Sequence, residues 1–279
     1  KSYAHHSVAQ IQKAMSHTQL DFSHTQQQSL GTSPGMVAAL CCPLSASEKR
    51  QKFLHRLVHF RHMDFEYALW QMLYLFVSPQ KVYRNFQYRK QTRNQWARDD
   101  PAFLVLLSTV LLGTSLVFGL VLRLSFLETL KLMLWIVCID CIGVGVVIAT
   151  IFWLLANRVY RLPGSAPALQ VEWAYAFDVH LNAFFPLLVI LHLIQLPFLY
   201  PVLYHDWFVS SLLGNLFWLV AIVYYLYITF LGYRALSFLR GVNAILYPIT
   251  LLCIVFLVSV LLRWNFTKLL ADFYKFRIR

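Results

Sequence analysis

Asp140 is the one Asp, Glu, Lys or Arg inside five long apolar stretches, which run approximately 102–122, 132–155, 179–203, 207–233 and 241–262. Lipid offers a carboxyl neither water nor hydrogen-bond donors, so such a group must face the interior of a helical bundle. Candidate partners are Asn182, His192 and Gln195 on the third stretch and Asn215 on the fourth. One reading is interhelical hydrogen bonding by a protonated Asp140. The alternative is an ion- or proton-coupled transporter centred on Asp140, which requires several polar groups in line. Cys138 and Cys141 have the spacing of a redox pair, yet in an apolar span they read as small packing groups.

A second set of residues could do chemistry at a surface. Eleven of the 24 basic residues lie between Lys49 and Arg98. At 100° per residue Phe53, Leu54, Leu57, Val58 and Phe60 share one arc, flanked by Lys49, Lys52 and Arg56, with Arg50 and Arg61 projecting into it. Such a helix suits the anionic cytosolic leaflet of a bilayer, each basic group adding about 1 kcal/mol near the surface. Farther on, Arg84, Arg89, Lys90, Arg93 and Arg98 alternate with Tyr83, Phe86, Tyr88 and Trp96, a pattern able to clamp phosphates and stack bases. RNA is therefore an alternative partner, although positive residues beside a first span are expected from the positive-inside bias alone. His55, His59 and His62 share a helical face with metal-ligand spacing, but without a Cys or a second element they read as an exposed polar face.

The elements that must position these residues follow from composition. Of 279 residues 59% are apolar and 13% charged, against roughly 45–50% and about 25% in a soluble domain. A disordered chain, a collagen and a disulfide-stapled secreted domain are all excluded, and the five cysteines form no regular framework. A span of the hydrocarbon core needs about 20 apolar residues, and all five stretches meet it. The fold is all-α, a polytopic membrane protein of about five transmembrane helices with a basic amphipathic juxtamembrane segment. The domains read as a flexible polar tail at 1–48, the basic segment at 49–101, the bundle at 102–264 and a short basic tail at 265–279. The polar tail lacks a secretory signal pattern, and because the sequence opens on Lys1, further residues are expected ahead of it.

Local signals refine the picture. Asp99, Asp100 and Pro101 precede Ala102 as an N-cap carboxylate and a first-turn proline would. Pro186 and Pro197 predict a kink or early end of the third span. Leu162 to Leu169 is the clearest interhelical loop, and Tyr67 to Val77 is too short to cross but long enough to embed in one leaflet. No repeat with a period of 20–50 residues is evident. With the N-terminus cytosolic, positive residues favour that side ten to seven. The terminal KFRIR, by contrast, approximates a retrieval signal that works only from the cytosol, whereas five spans put the two ends on opposite sides. The sequon at Asn265 abuts the last span, a poor position for glycosylation. HExxH, P-loop, GxSxG and GxGxxG motifs are missing from the sequence, so neither an enzyme nor a cofactor is expected.

The strings FRHMDFEYALWQMLYLFVSPQKVYRNFQYRKQTRNQWARDDPAFLVLL (60–107), IDCIGVGVVIAT (139–150), VEWAYAFDVHLNAFFPLLVILHLIQL (171–196), YYLYITFLGY (224–233) and the terminal WNFT and FYKFRIR resemble the Uncoordinated-fifty family of Golgi membrane proteins. The resemblance covers roughly 49–279. It implies a multi-pass protein of the Golgi, with the inner nuclear membrane or endoplasmic reticulum as further locations. It also implies a role in protein transport: cell-surface delivery of assembled nicotinic acetylcholine receptors as cargo, an Arf exchange factor as partner, and RNA binding in some members. No catalytic residue carries over.

Overall fold

Asp64 opens the first described helix by accepting a hydrogen bond from the Tyr67 N–H at 2.9 Å. The structure, a computed structural model, describes residues 55, 63–93, 98, 100–164, 170–205 and 207–278. Among them α1 is Phe65–Val77, α2 Pro79–Arg93, α3 Ala102–Val121, α4 Phe126–Tyr160, α5 Trp173–Leu203, α6 Phe208–Arg234, α7 Val242–Leu261 and α8 Phe266–Ile278. The chain is a multi-pass helical membrane protein: α3 to α7 are long and apolar enough to cross a bilayer. Their outer faces are apolar too, with Leu120, Leu134, Val147 and Leu257 well exposed, as lipid solvation permits. Inside, Phe103, Leu107, Leu111, Leu132, Tyr175, Leu188 and Tyr233 are almost fully buried.

Two spans are longer than the apolar runs that announce them. The 35 residues of α4 pass through π-helical turns at Ile136–Gly143 and Ala156–Tyr160. Regular helix in α5 runs past Pro186, which supplies no N–H to the ladder, and gives way to π turns after Leu188. The span continues to Leu203 through π and 3-10 turns, the latter holding Pro197, so the prolines loosen the helix without ending it.

Helices α1 and α2 form a hairpin within one end of the bundle. Asp100 fixes its entry, accepting from the Asp64 N–H at 2.7 Å and from the Ala102 N–H at 3.0 Å, so one carboxylate ties the start of α1 to the start of α3. At the hairpin tip the Leu75 carbonyl accepts from the Tyr224 hydroxyl at 2.8 Å, and Phe76 meets Phe185 edge-on. Tyr224 lies ten residues before the end of α6, so the tip is about 15 Å along that helix. The chain then returns, with Tyr83 against Gly232 and Phe86 against Tyr175. Gln71, Met72 and Leu75 face inward, whereas Leu69, Leu73 and Val77 face out, giving α1 one protein face and one apolar outer face.

The opposite end carries a structural repeat. Val121-Leu-Arg-Leu-Ser-Phe126 and Leu261-Leu-Arg-Trp-Asn-Phe266 each turn the end of one helix into the start of the next. Arg123 and Arg263 are the only non-glycine residues at positive φ among the described residues, at 56° and 54°. The Leu124 and Trp264 N–H groups close the two corners on Gly119 and Ser259 carbonyls at 2.9 and 2.8 Å. Ser125 then caps α4 and Asn265 caps α8. A left-handed conformation costs an L-residue roughly 1–2 kcal/mol, and glycine is the usual occupant of such a helix end.

Candidate functional site

Asp178 and Asn182 lie one turn apart on α5 and so face the same way. Both meet Arg98, which precedes α3. The Arg98 backbone N–H donates to Asp178 Oδ2 at 2.6 Å, and its guanidinium donates to Asn182 Oδ1. The Gln71 amide of α1 reaches the same oxygen at 3.4 Å. The guanidinium also rests 3.9 Å from the Phe103 ring centroid and 5.8 Å from that of Phe86. Asn182 is 0% exposed and Arg98 only 9%. Tyr83 of α2 lies beside this group, and burial pushes its phenol well above the ordinary range. One buried cation thus gathers α1, α2, α3 and α5 and holds the hairpin in place.

A second layer knits the spans behind it. The Tyr175 hydroxyl donates to the Gly232 carbonyl at 2.7 Å. His180 Nε2 is 3.3 Å from the Cys141 carbonyl and Nδ1 is 2.8 Å from the Tyr225 hydroxyl. A carbonyl can only accept, so Nε2 carries the proton and Nδ1 accepts from Tyr225. Close approach is required here: a Cβ on Gly145 would fall 2.5 Å from His180 Nε2.

Asp140 has a different partner from those its span suggested. Its Oδ2 accepts from the Tyr274 hydroxyl of α8 at 2.6 Å. Burial above all, with the carboxylate next to it, pushes the Tyr274 phenol up, which keeps it a donor. Asn182 belongs to the Arg98 group. The His192 ring stands 5.4 Å from Phe118, and Gln195 donates to the Thr267 hydroxyl. Asn215 donates to Ser259 at 2.9 Å and to the Trp264 carbonyl at 2.7 Å and accepts from the Phe266 N–H at 3.1 Å. These polar groups thus tie separate helix junctions. Asp140 finds Tyr274 because residues 266–278 fold back as a helix on the bundle, where the sequence reads as a tail.

The basic candidates divide. Arg84 is exposed on α2, and Arg89, Lys90 and Arg93 belong to the same helix. Lys49, Arg50, Lys52, Arg56 and Arg61 lie outside the described residues, as do His59 and His62. Arg98 corrects the sequence reading: it is a buried cation held by Asn182 and Phe103, so it is removed from any docking surface. Among the described residues no group of three His, Cys, Asp or Glu could hold a metal. The sequon Asn265 donates to the Leu203 carbonyl and the Ser210 hydroxyl at 2.7 and 2.9 Å, so its amide is already committed. Sequence reasoning missed Asp178 and His180, and it read Tyr83 as a stacking ring of the basic segment where the structure buries it. The i, i+4 pair Asp178 and Asn182, at the edge of the third span, is the signal that could have found the first.

Residues 53–275 match the UNC-50 family. The unc-50 homolog of Danio rerio is 59% identical over 237 residues, covering 84% of this chain and 91% of the relative. Homolog A of Xenopus laevis is 58% identical and the Homo sapiens homolog 57%, each over 235 residues, 84% of this chain and 90% of the relative. No solved structure matches the chain.

Proposed function

The chain belongs to the UNC-50 family, and from that premise we propose that it is a non-enzymatic Golgi trafficking factor. It supports protein transport and cell-surface delivery of membrane cargo such as assembled nicotinic acetylcholine receptors, with recruitment of an Arf exchange factor as the means. The observation that carries this reading is the match over 53–275, which takes in the hairpin, Arg98 and its partners, and all five spans. The geometry gives it a physical form. Arg98 fixes α2 at one end of the bundle, and α2 presents Lys81 and Arg84 to solvent there. With the N-terminus cytosolic, those two cations meet the anionic leaflet or a coat-recruiting partner, and the sequence supplies five more basic residues over 49–61 for the same role.

The test is charge reversal in cells lacking the native protein. Lys49, Arg50, Lys52 and Arg56 are changed to Glu, alone or with Lys81→Glu and Arg84→Glu. The variants should keep their spans in the membrane, lose exchange factor from the Golgi and deliver less assembled receptor to the surface. Unchanged recruitment and delivery would remove the cationic surface from the mechanism.

A further inference from the structure

Helices α6, α7 and α8 leave an apolar cleft between them, with a volume of about 550 Å³. Its walls include Ile222 on α6, Val255 and Phe256 on α7, and Leu269 and Phe273 on α8. It begins at Asn215 and Phe266 and reaches Ile222, seven residues or about 10 Å along α6. Walled by side chains from three helices and open along one side, the cleft suits a single flexible apolar chain.

The Arg263 corner closes one end of this cleft. Asn215 lines the cleft and also donates to the Trp264 carbonyl and accepts from the Phe266 N–H. Ser211 holds the Arg263 carbonyl at 3.2 Å. Trp264, next in sequence, and Trp207 at the start of α6 are each 62% exposed. Exposed indoles at the end of a span settle at the level of lipid headgroups, so the corner places Arg263 at that level, above an apolar cleft running toward the membrane interior. Arg263 is exposed there, and a guanidinium binds phosphate in bidentate fashion.

We propose that this cleft is a phospholipid site, with one acyl chain lying between α6, α7 and α8 and the lipid phosphate on Arg263. Anionic phospholipids are favoured over zwitterionic ones, because the ammonium of a zwitterionic headgroup offsets the attraction of its phosphate for Arg263. Arg123 has the same backbone and exposure without this cleft, which makes it the internal control.

The experiment uses the full chain, purified in mild detergent and exchanged into bilayer discs of phosphatidylcholine with or without phosphatidylserine, with bound lipid counted by native mass spectrometry. The unaltered protein retains one phospholipid, preferring phosphatidylserine. Val255→Trp fills the cleft and abolishes retention. Arg263→Gly relaxes the left-handed corner, so its melting temperature is unchanged or higher, yet losing a charge-assisted contact lowers phosphatidylserine retention by about tenfold or more. Arg123→Gly leaves retention unchanged. Equal retention by the unaltered protein, Val255→Trp and Arg263→Gly overturns the proposal. So does an equal loss in Arg123→Gly and Arg263→Gly, or the finding that a second copy of the chain fills the cleft.

Discussion

Replacing Arg98 with alanine tests whether one buried cation holds the hairpin in the bundle. The substitution removes the guanidinium bond to Asn182, worth about 1.5–3 kcal/mol for a charged donor. It also removes the contact with the Phe103 ring, worth roughly 0.5–2 kcal/mol. Together these predict a loss of about 2–5 kcal/mol, while the backbone bond from residue 98 to Asp178 survives. Arg98→Lys keeps the charge but not the planar fork, so it falls between the two. Thermal unfolding in detergent gives the stability, and proteolysis across residues 79–98 reports whether the hairpin has come loose. A cycle with Asn182→Ala should return a coupling of about 1–3 kcal/mol. The exposed Arg84→Ala is the control and should stay within about 0.5 kcal/mol. If Arg98→Ala matches that control, with no gain in proteolysis, the reasoning fails.

Gly145→Ala forces a methyl against His180, and the shift should lower stability by roughly 1–3 kcal/mol in the same unfolding assay. Tyr274→Phe leaves the half-buried Asp140 without its hydroxyl donor, so α8 should loosen at a cost of about 1–3 kcal/mol and become accessible to protease. Asp140→Asn keeps an oxygen that accepts from Tyr274 and should change stability by less than about 1 kcal/mol. A reconstituted ion or proton flux that Asp140→Asn abolishes would instead support a transport site.

The spans were legible because lipid imposes a length and forbids charge, and both constraints are written in consecutive residues. The apolar run 102–122 becomes a helix at Ala102–Val121, and 241–262 becomes Val242–Leu261. At α4 and α5 the helices run past their apolar cores, since a backbone ladder begun in lipid continues until a cap stops it, as Ser125 does at the start of α4. What the text hid was partnership. Arg98 reads like the surface cations around it, because nothing in a local window shows that Asn182, 84 positions later, comes within reach. Tyr274 likewise gives no sign of Asp140, 134 positions earlier. The repeated corner escaped because it spans only a few residues and keeps just Leu, Arg and Phe in common.

The hairpin also dictates an order of assembly. The Leu75 carbonyl waits for a hydroxyl that lies 149 positions later in the chain. At about 5–20 residues per second, that hydroxyl is synthesised roughly 7–30 s after its acceptor. During that interval α1 can cover its inner face only against α3 and then α5, so the hairpin tip must be sheltered by lipid or by the insertion machinery until the fourth span arrives. A chain truncated before α6 would keep the Arg98 cluster but leave the hairpin tip without its hydroxyl donor, a lesion that quality-control factors in the membrane could recognise.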